Sequence, residues 1–475
     1  MSWPVNSTLI STEEKERLRK SLYLLSPKQD SAIICLSNRK EEERVSPSSE
    51  GKEGDIPSSF RSSSSFPSSS SFPSSSSFPS SSSFPSDEGD TRSSSEVWLL
   101  PFAFGKHRFP KLREEKNLPQ IYFNFTGEAR PSQVKPLEEA WSILCESGSV
   151  ILNFPTGYGK TASAILLSHL TQKIVCVVSP ISTLEGQWVK SFAKFSNAST
   201  WIVGEKMPEV VSVIITSPGR IHKIPEVLRK SIGCLIVDEV HLFCTQIRYD
   251  KLLTIEPDYC IALSATLEKE KHHRDALSLM FGRVVEVESK TKFTIHRHMT
   301  GIHIPSVKKY DKKKGKMVED WPALCHNMAS NKERNQKILD LICSSPQKIL
   351  LLTSLVEHAR HLHKELLERG EDVSLLQGKD KDYKDARILV SNYKKAGTGF
   401  DDDTFCSNFS GKRFDAVYVL FSMKGIILLK QVIGRVRKED PQVVEFVDEH
   451  DIIKNHARQR DKFYRSKDYP IYLYQ

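Results

Sequence analysis

No two of the nine cysteines, at 35, 145, 176, 234, 244, 260, 325, 343 and 406, stand as Cys-x-x-Cys. That pattern argues against a zinc module, and the thiols read as reduced, mostly buried side chains of an intracellular protein. No apolar run approaches the roughly 18 residues that a membrane span needs, so no membrane partner is expected. Met1-Ser2-Trp3-Pro4 opens no signal peptide, and a soluble chain is expected. Against these absences, 475 residues suffice for two or three domains, and 39% hydrophobic content can build cores. The net charge of +9 permits a polyanionic partner without requiring one.

Residues 1–57 form an N-terminal segment of unassigned role, with a capping-box pattern at Ser11-Thr12-Glu13-Glu14 and leucines 18, 22 and 25 at helical spacing. A tandem repeat then covers 58–86. Phe60, Phe66, Phe72, Phe78 and Phe84 recur every six residues between serines, the last four followed by proline. Serine and proline cannot bury enough surface to offset the entropy of ordering, so 58–117 reads as a disordered linker.

From residue 118 the pattern changes to alternating apolar runs and helical spacings. Strands are expected at Ser149–Leu152, Ile174–Val178, Val211–Ile215, Cys234–Val237 and Ile261–Leu263, and near-continuous apolar strands fit a parallel sheet covered on both faces. A basic stretch at 308–316, rich in lysine, reads as a solvated loop within an interdomain linker, 296–330, the alternative being added electrostatic affinity for a polyanion. A second block follows, with strands at Ile349–Thr353, Ser374–Leu376, Ile388–Ser391, Ala416–Leu420 and Val443–Val447 and helices at Leu355–Arg369 and Gly425–Val436. The organisation expected is therefore α/β, with one domain at 118–295 and another at 331–475.

One stretch carries chemistry by itself. After the first strand come Phe154-Pro155-Thr156-Gly157-Tyr158-Gly159-Lys160-Thr161, and then a helix. Strand, glycine loop, Gly-Lys-Thr and helix make a phosphate-binding loop for ATP. Gly157 and Gly159 let backbone N–H groups close around phosphate oxygens, where a Cβ would intrude. Lys160 brings a point charge to the β/γ-phosphates, Thr161 offers its hydroxyl to Mg²⁺, and the helix N-terminus favours the anion. Phe154 stands where the full pattern begins with glycine. Leu235-Ile236-Val237-Asp238-Glu239-Val240-His241 supplies the partner carboxylates: Asp238 toward Mg²⁺, and Glu239 to orient and deprotonate the attacking water.

Other short segments sit after strands: Thr216-Ser217-Pro218-Gly219-Arg220, Ser264-Ala265-Thr266, Ala396-Gly397-Thr398-Gly399-Phe400-Asp401 and Gln431-Val432-Ile433-Gly434-Arg435-Val436-Arg437-Lys438. In this order and spacing, over roughly 118–460, the chain resembles a superfamily 2 helicase of the DExH type. Val240-His241 and Gln431, with Ser179-Pro180, Leu184, Gln187, Trp188, Asn331 and Arg334-Asn335, look more like the group of XPB and UvsW than the DEAD-box RNA helicases. That group includes the helicases of nucleocytoplasmic large DNA viruses, such as the poxvirus transcript-release helicase.

The resemblance implies two tandem RecA-like domains, ATP in the cleft between them, and nucleic acid across both, DNA favoured over RNA. It implies that Gln133 reads the adenine edge, that Pro155 to Thr161 hold the nucleotide, and that Thr161 and Asp238 hold Mg²⁺. His241 and Ser264, Ala265 and Thr266 would couple hydrolysis to domain movement. Pro180, Ser217, Pro218, Gly219, Arg220, Thr353, Thr398 and Gly399 would meet nucleic acid, mainly its phosphates. Gln431 and Arg435 would complete catalysis from the second domain, Arg435 as the arginine finger. A second arginine usually follows three residues later, where Lys438 stands. If a helix runs from Gln431, Lys438 shares the face of Arg435, and Arg437 is turned about 200° away. Lys438 is then expected to face the nucleotide. Partners in transcription or replication are expected at the N-terminal region, and a viral setting implies the host cytoplasm or nucleus, or the virion. An RNA helicase, or a nucleic-acid-binding scaffold with residual ATPase, are the competing readings.

Overall fold

The computed structural model describes residues 2–6, 9–21, 23–25, 32–34, 37–40, 96–112, 116–180, 184–265, 267, 271–288, 291–312, 315–378, 380, 382–397, 406–424, 429, 433–434, 436 and 441–475. The serine–phenylalanine repeat lies outside the described residues.

The N-terminal region contributes β1 (Ser2–Asn6), α1 (Thr12–Ser21), β2 (Tyr23–Leu25), β3 (Ala32–Ile34), β4 (Ser37–Lys40), β5 (Glu96–Pro101) and α2 (Phe102–Arg108). Next come α3 (Pro131–Ser147), β6 (Ser149–Asn153), α4 (Lys160–Thr171), β7 (Ile174–Val178), α5 (Glu185–Phe195), β8 (Thr200–Ile202) and β9 (Val213–Thr216). The same block ends with α6 (Glu226–Lys230), β10 (Ile232–Val237), α7 (Gln246–Leu253), β11 (Tyr259–Ser264), α8 (Lys271–Phe281) and β12 (Val284–Glu286).

The second block opens with β13 (Thr294–His303), β14 (Lys308–Asp311), β15 (Lys316–Glu319), α9 (Trp321–Ser330), α10 (Lys332–Ser344), β16 (Ile349–Thr353) and α11 (Val356–Glu368). It closes with β17 (Val373–Leu376), β18 (Ile388–Asn392), α12 (Tyr393–Gly397), β19 (Ala416–Val419), β20 (Gln442–Glu449), α13 (Asp451–Ser466) and β21 (Ile471–Tyr474).

Two seven-stranded sheets result, ordered β12-β6-β11-β10-β7-β9-β8 and β17-β18-β16-β19-β20-β13-β21. Every pairing within them is parallel. The period of two sends alternate side chains to opposite faces. On β7, Ile174, Cys176 and Val178 join one core cluster, while Val175 and Val177 join the other. On β16, Leu350 and Leu352 pack on one side, and Ile349 and Leu351 on the other. The strands expected from apolar runs are all present, their ends within two residues of the expected ones. No helix among the described residues is long and apolar enough to cross a membrane.

Two segments differ from the sequence reading. Part of the presumed linker 58–117 is ordered: β5 pairs antiparallel with β1 and β4. Leu99, Leu100 and Phe102 are buried in the first sheet's cluster together with Val5, Ile10 and Leu18. The polar repeat upstream hides this short apolar stretch from a composition window. The expected basic linker 296–330 instead begins inside β13, which sits between β20 and β21 in the second sheet. Its His296-Arg297-His298 centre reads as polar. In the fold Arg297 is buried, its Nε donating to Glu445 Oε1 at 2.6 Å, with Asp461 Oδ1 also 2.6 Å from its guanidinium. Charge partners 148 and 164 positions away in sequence make that burial tolerable, and periodicity does not reveal them.

Candidate functional site

In an open parallel sheet, loops at the carboxyl ends of the strands form the ligand crevice. Here Phe154 follows β6, Ser179-Pro180 follow β7, Ser217 follows β9, Asp238-Glu239 follow β10, and Ser264 ends β11. Register aligns these ends, with Ser264 opposite Asn153, and Val178 opposite both Val237 and Thr216.

The loop after β6 needs its glycines. Gly157 has φ 82° and Gly159 φ 101°, both in the left-handed region that a Cβ disfavours. A Cβ on Gly159 would come within 2.6 Å of Gln133 Nε2. Gly159 also begins α4, whose first residues are Lys160 and Thr161. Phe154 is fully buried and packs edge-to-face on Tyr158, ring centroids 5.1 Å apart. The departure from glycine thus anchors the loop from beneath. Lys160 Nζ donates to the carbonyls of Phe154 (3.1 Å) and Pro155 (3.4 Å), curled within the loop it would share with phosphates.

Gln133 supports that loop. Its Oε1 accepts from Arg130 N at 2.9 Å and Nε at 3.2 Å, and its Nε2 donates to Tyr158 O at 2.8 Å. The Arg130 guanidinium also donates to Tyr158 O, and the Tyr158 hydroxyl to Ser132 O. These bonds use one of the two amide hydrogens of Gln133, so the side chain is a clamp on Tyr158 whatever it does toward a base. The sequence gives Arg130 no role of its own beyond its place just before Pro131-Ser132-Gln133.

The acidic pair is strained and under-satisfied. Glu239 has φ 46°, left-handed for a residue with a Cβ, a conformation that persists where surrounding structure enforces it. Asp238 Oδ1 accepts the Glu239 N–H at 2.9 Å, and Oδ2 accepts the Trp188 indole N–H at 3.1 Å. Burial drives the Asp238 carboxyl up to about 6, and the Glu239 carboxylate adds to it. The Trp188 hydrogen bond and the Lys160 ammonium pull the other way, which also puts Lys160 within electrostatic reach of Asp238. Glu239 Oε2 is buried and makes no hydrogen bond among the described residues. It lies 3.4 Å from His241 Nδ1, which is 3.2 Å from Ser264 Oγ. A line of polar groups therefore runs from the carboxylate pair to the end of β11. Trp188 served only to place the chain in a group, and its contact with Asp238 had no signal in spacing.

Phosphate oxygens fit the glycine cradle and Lys160, a divalent cation fits a carboxyl that burial leaves short of compensating charge, and a water fits the orphaned Glu239 Oε2.

The expected nucleic-acid residues are placed unevenly. Pro180 and Pro218 are buried, Ser217 is half-buried, and Gly219 is exposed. The Arg220 guanidinium turns inward, donating to Val203 O at 2.9 Å, to Ser217 Oγ at 3.4 Å and to Glu185. Thr353 is buried, its hydroxyl donating to Leu355 O at 2.9 Å. Arg220 and Thr353 thus shape the strand-end surface rather than lend side chains to it. Ala265 is described next to Ser264, whereas Thr266, Thr398, Gly399, Gln431, Arg435, Arg437 and Lys438 lie outside the described residues.

Residues 136–274 match the DEAD/DEAH box helicase family. The chain is 28% identical over 413 residues to the Invertebrate iridescent virus 6 protein named "Putative helicase 161L", covering 79% of this chain and 89% of that one. Over 177 residues it is 26% identical to the XPB helicase/translocase subunit of general transcription and DNA repair factor IIH from Dictyostelium discoideum, 33% of this chain and 22% of that one. Among solved structures, an S. cerevisiae Dbp5 variant bound to RNA and ADP BeF3 superposes with a TM-score of 0.52 at 14% identity, covering 71% of this chain and 89% of that chain. At that identity the likeness is one of fold.

Proposed function

We propose that this chain, whose residues 136–274 match the DEAD/DEAH box helicase family, is an ATP-hydrolysing superfamily 2 helicase that unwinds or translocates along DNA in viral transcription or replication. The observation that carries the catalytic assignment is the buried, unbonded Oε2 of Glu239 between Asp238 and His241. Lys160 leaves the Phe154 and Pro155 carbonyls to meet the β/γ-phosphates, and backbone N–H groups of 157–160 hold the oxygens. Thr161 and Asp238 hold Mg²⁺, which when bound supplies charge neutralisation on the phosphates. Glu239 orients the attacking water and takes its proton. Gln133 holds Tyr158 and reads adenine. Arg435 stabilises the developing charge, Gln431 takes part in catalysis, and Lys438 acts as a monodentate cation in place of an arginine. His241 passes the state of Glu239 to Ser264, Ala265 and Thr266.

DNA is favoured by Val240-His241 and by similarity to the XPB subunit of a DNA repair factor. Gly219, Thr398 and Gly399, with neighbouring backbone, meet the phosphates, and residues upstream of 96 receive partner proteins. ATP turnover measured with single-stranded DNA, duplex DNA and RNA tests the reading: stimulation is expected from DNA. Stimulation by RNA alone would overturn the substrate, and no stimulated turnover at all would favour a scaffold.

A further inference from the structure

The lysine-rich segment read as a loop is a β-hairpin. β14 pairs antiparallel with β15, Lys308 opposite Glu319, Lys309 opposite Val318, Tyr310 opposite Met317 and Asp311 opposite Lys316. Residues 308–319 hold six lysines against two acids. None of the described residues among them enters a core cluster. A two-stranded ribbon is marginal by itself, and this one is pinned at its base. Glu319 accepts from Ser306 Oγ at 2.6 Å and Val307 N at 2.8 Å, and Asp320 N donates to Val307 O at 2.6 Å.

Cross-strand partners share a face, so Tyr310 and Met317 lie side by side on one surface of the ribbon. They are 61% and 55% exposed, a large apolar area left in water and flanked by Lys308 and Lys312. The hairpin also leaves from the ligand-binding edge of its sheet. It follows the carboxyl end of β13, and all strands of that sheet point the same way. In the helix that follows it, α9, the Cys325 side chain lies near Ser354 at the end of β16.

We propose that the β14–β15 hairpin is a contact for single-stranded nucleic acid, with Tyr310 and Met317 stacking an unpaired base and Lys308 and Lys312, on the same face, holding the flanking phosphates. An acidic protein would satisfy the lysines but not a flat aromatic surface between them; a base followed by phosphates satisfies both. Duplex bases are already stacked and cannot reach Tyr310. The inference rests on the helicase reading.

Binding of labelled oligo(dT), oligo(U) and blunt duplex is measured over a range of salt, with thermal melting to show that each variant is folded. The double variant K308A/K312A should lower the slope of log affinity against log salt by about 1.4 on single strands. Tyr310→Ala should weaken both single-stranded ligands about ten-fold while sparing duplex, and Tyr310→Phe should restore them. Native binding with unchanged variants overturns the hairpin alone and leaves it a protein-facing element. A native chain that binds no oligonucleotide overturns the helicase reading and the hairpin with it.

Discussion

At the end of β10 the Asp238 carboxyl is driven up to about 6 by burial beside Glu239, and Glu239 Oε2 is buried without a hydrogen bond among the described residues. Near the end of β20, in a sheet of the same size and the same parallel design, Asp448 is saturated. It accepts from Arg334 Nε at 3.0 and 2.9 Å and from Thr300 Oγ1 at 2.7 Å, and both members of the ion pair are 0% exposed. Glu445 on the same strand takes hydrogen bonds from Arg297, Arg460 (2.7 Å) and Tyr464 (3.2 Å). Architecture therefore does not decide what a buried carboxylate is for. Compensation separates them: Asp448 and Glu445 are met by arginines and hydroxyls that hold the second domain in one arrangement, whereas Glu239 Oε2 is left without a hydrogen bond among the described residues and fits a group from outside the chain.

The sharpest break of this comparison is Glu239→Gln, which keeps volume and removes the base. Turnover should fall about 10²–10⁴-fold with the fold intact, read as kcat alongside a melting curve. Near-native turnover would mean that the orphaned oxygen is not the base. Arg334→Ala should do the reverse, lowering stability by about 3–5 kcal/mol because Asp448 is left buried and unpaired. Urea unfolding of Arg334→Ala against an Arg334→Met, Asp448→Leu double variant checks this, since the double variant should recover most of the loss. A third and smaller effect concerns communication. His241→Asn should leave ATP affinity alone and reduce nucleic-acid stimulation of turnover roughly ten-fold, the scale of an ordinary coupling free energy. A variant with unchanged stimulation would remove His241 from the route to Ser264.

The last pair of effects is in pH, and the two regions should respond with opposite sign. Asp238 binds its proton more readily folded than unfolded, so between about pH 4 and 6 its contribution to stability falls as pH rises. His358, buried and bonded to Asn335 Oδ1 at 3.0 Å, is pushed down to about 3 by burial and by the Arg334 charge. Unfolded it protonates near 6.5, so its contribution is lost as pH falls from about 6.5 toward 3. Asp238→Asn and His358→Gln should each flatten one arm of a stability–pH profile. If both flatten the same arm, the contrast fails.

How much of this was legible from residues follows the same physics. Phosphate loop, acidic pair and sheet strands are local patterns, in which a few adjacent residues state both conformation and chemistry. Arg297 in β13 reads as surface until Glu445 and Asp461 are beside it. Tyr310 and the lysines read as loop because a ribbon wet on both faces has no apolar alternation to detect. Leu99 and Phe102 were lost in the shadow of the serine repeat. The inward turn of Arg220 depends on Glu185, 35 residues earlier. What escaped was in each case a residue whose surroundings come from elsewhere in the chain.

The indole of Trp188 has one further consequence. Its N–H is bonded to the very carboxylate assigned to the cation, and the ring is buried against Phe192, 6.1 Å between centroids. A tryptophan excited state is sensitive to charge at its nitrogen. Protonation of Asp238, or arrival of a divalent ion, therefore changes the emission of a chromophore already in place. The nucleotide site carries its own optical reporter, and replacing Trp188 with Phe should silence that component of the spectrum while the other tryptophans continue to emit.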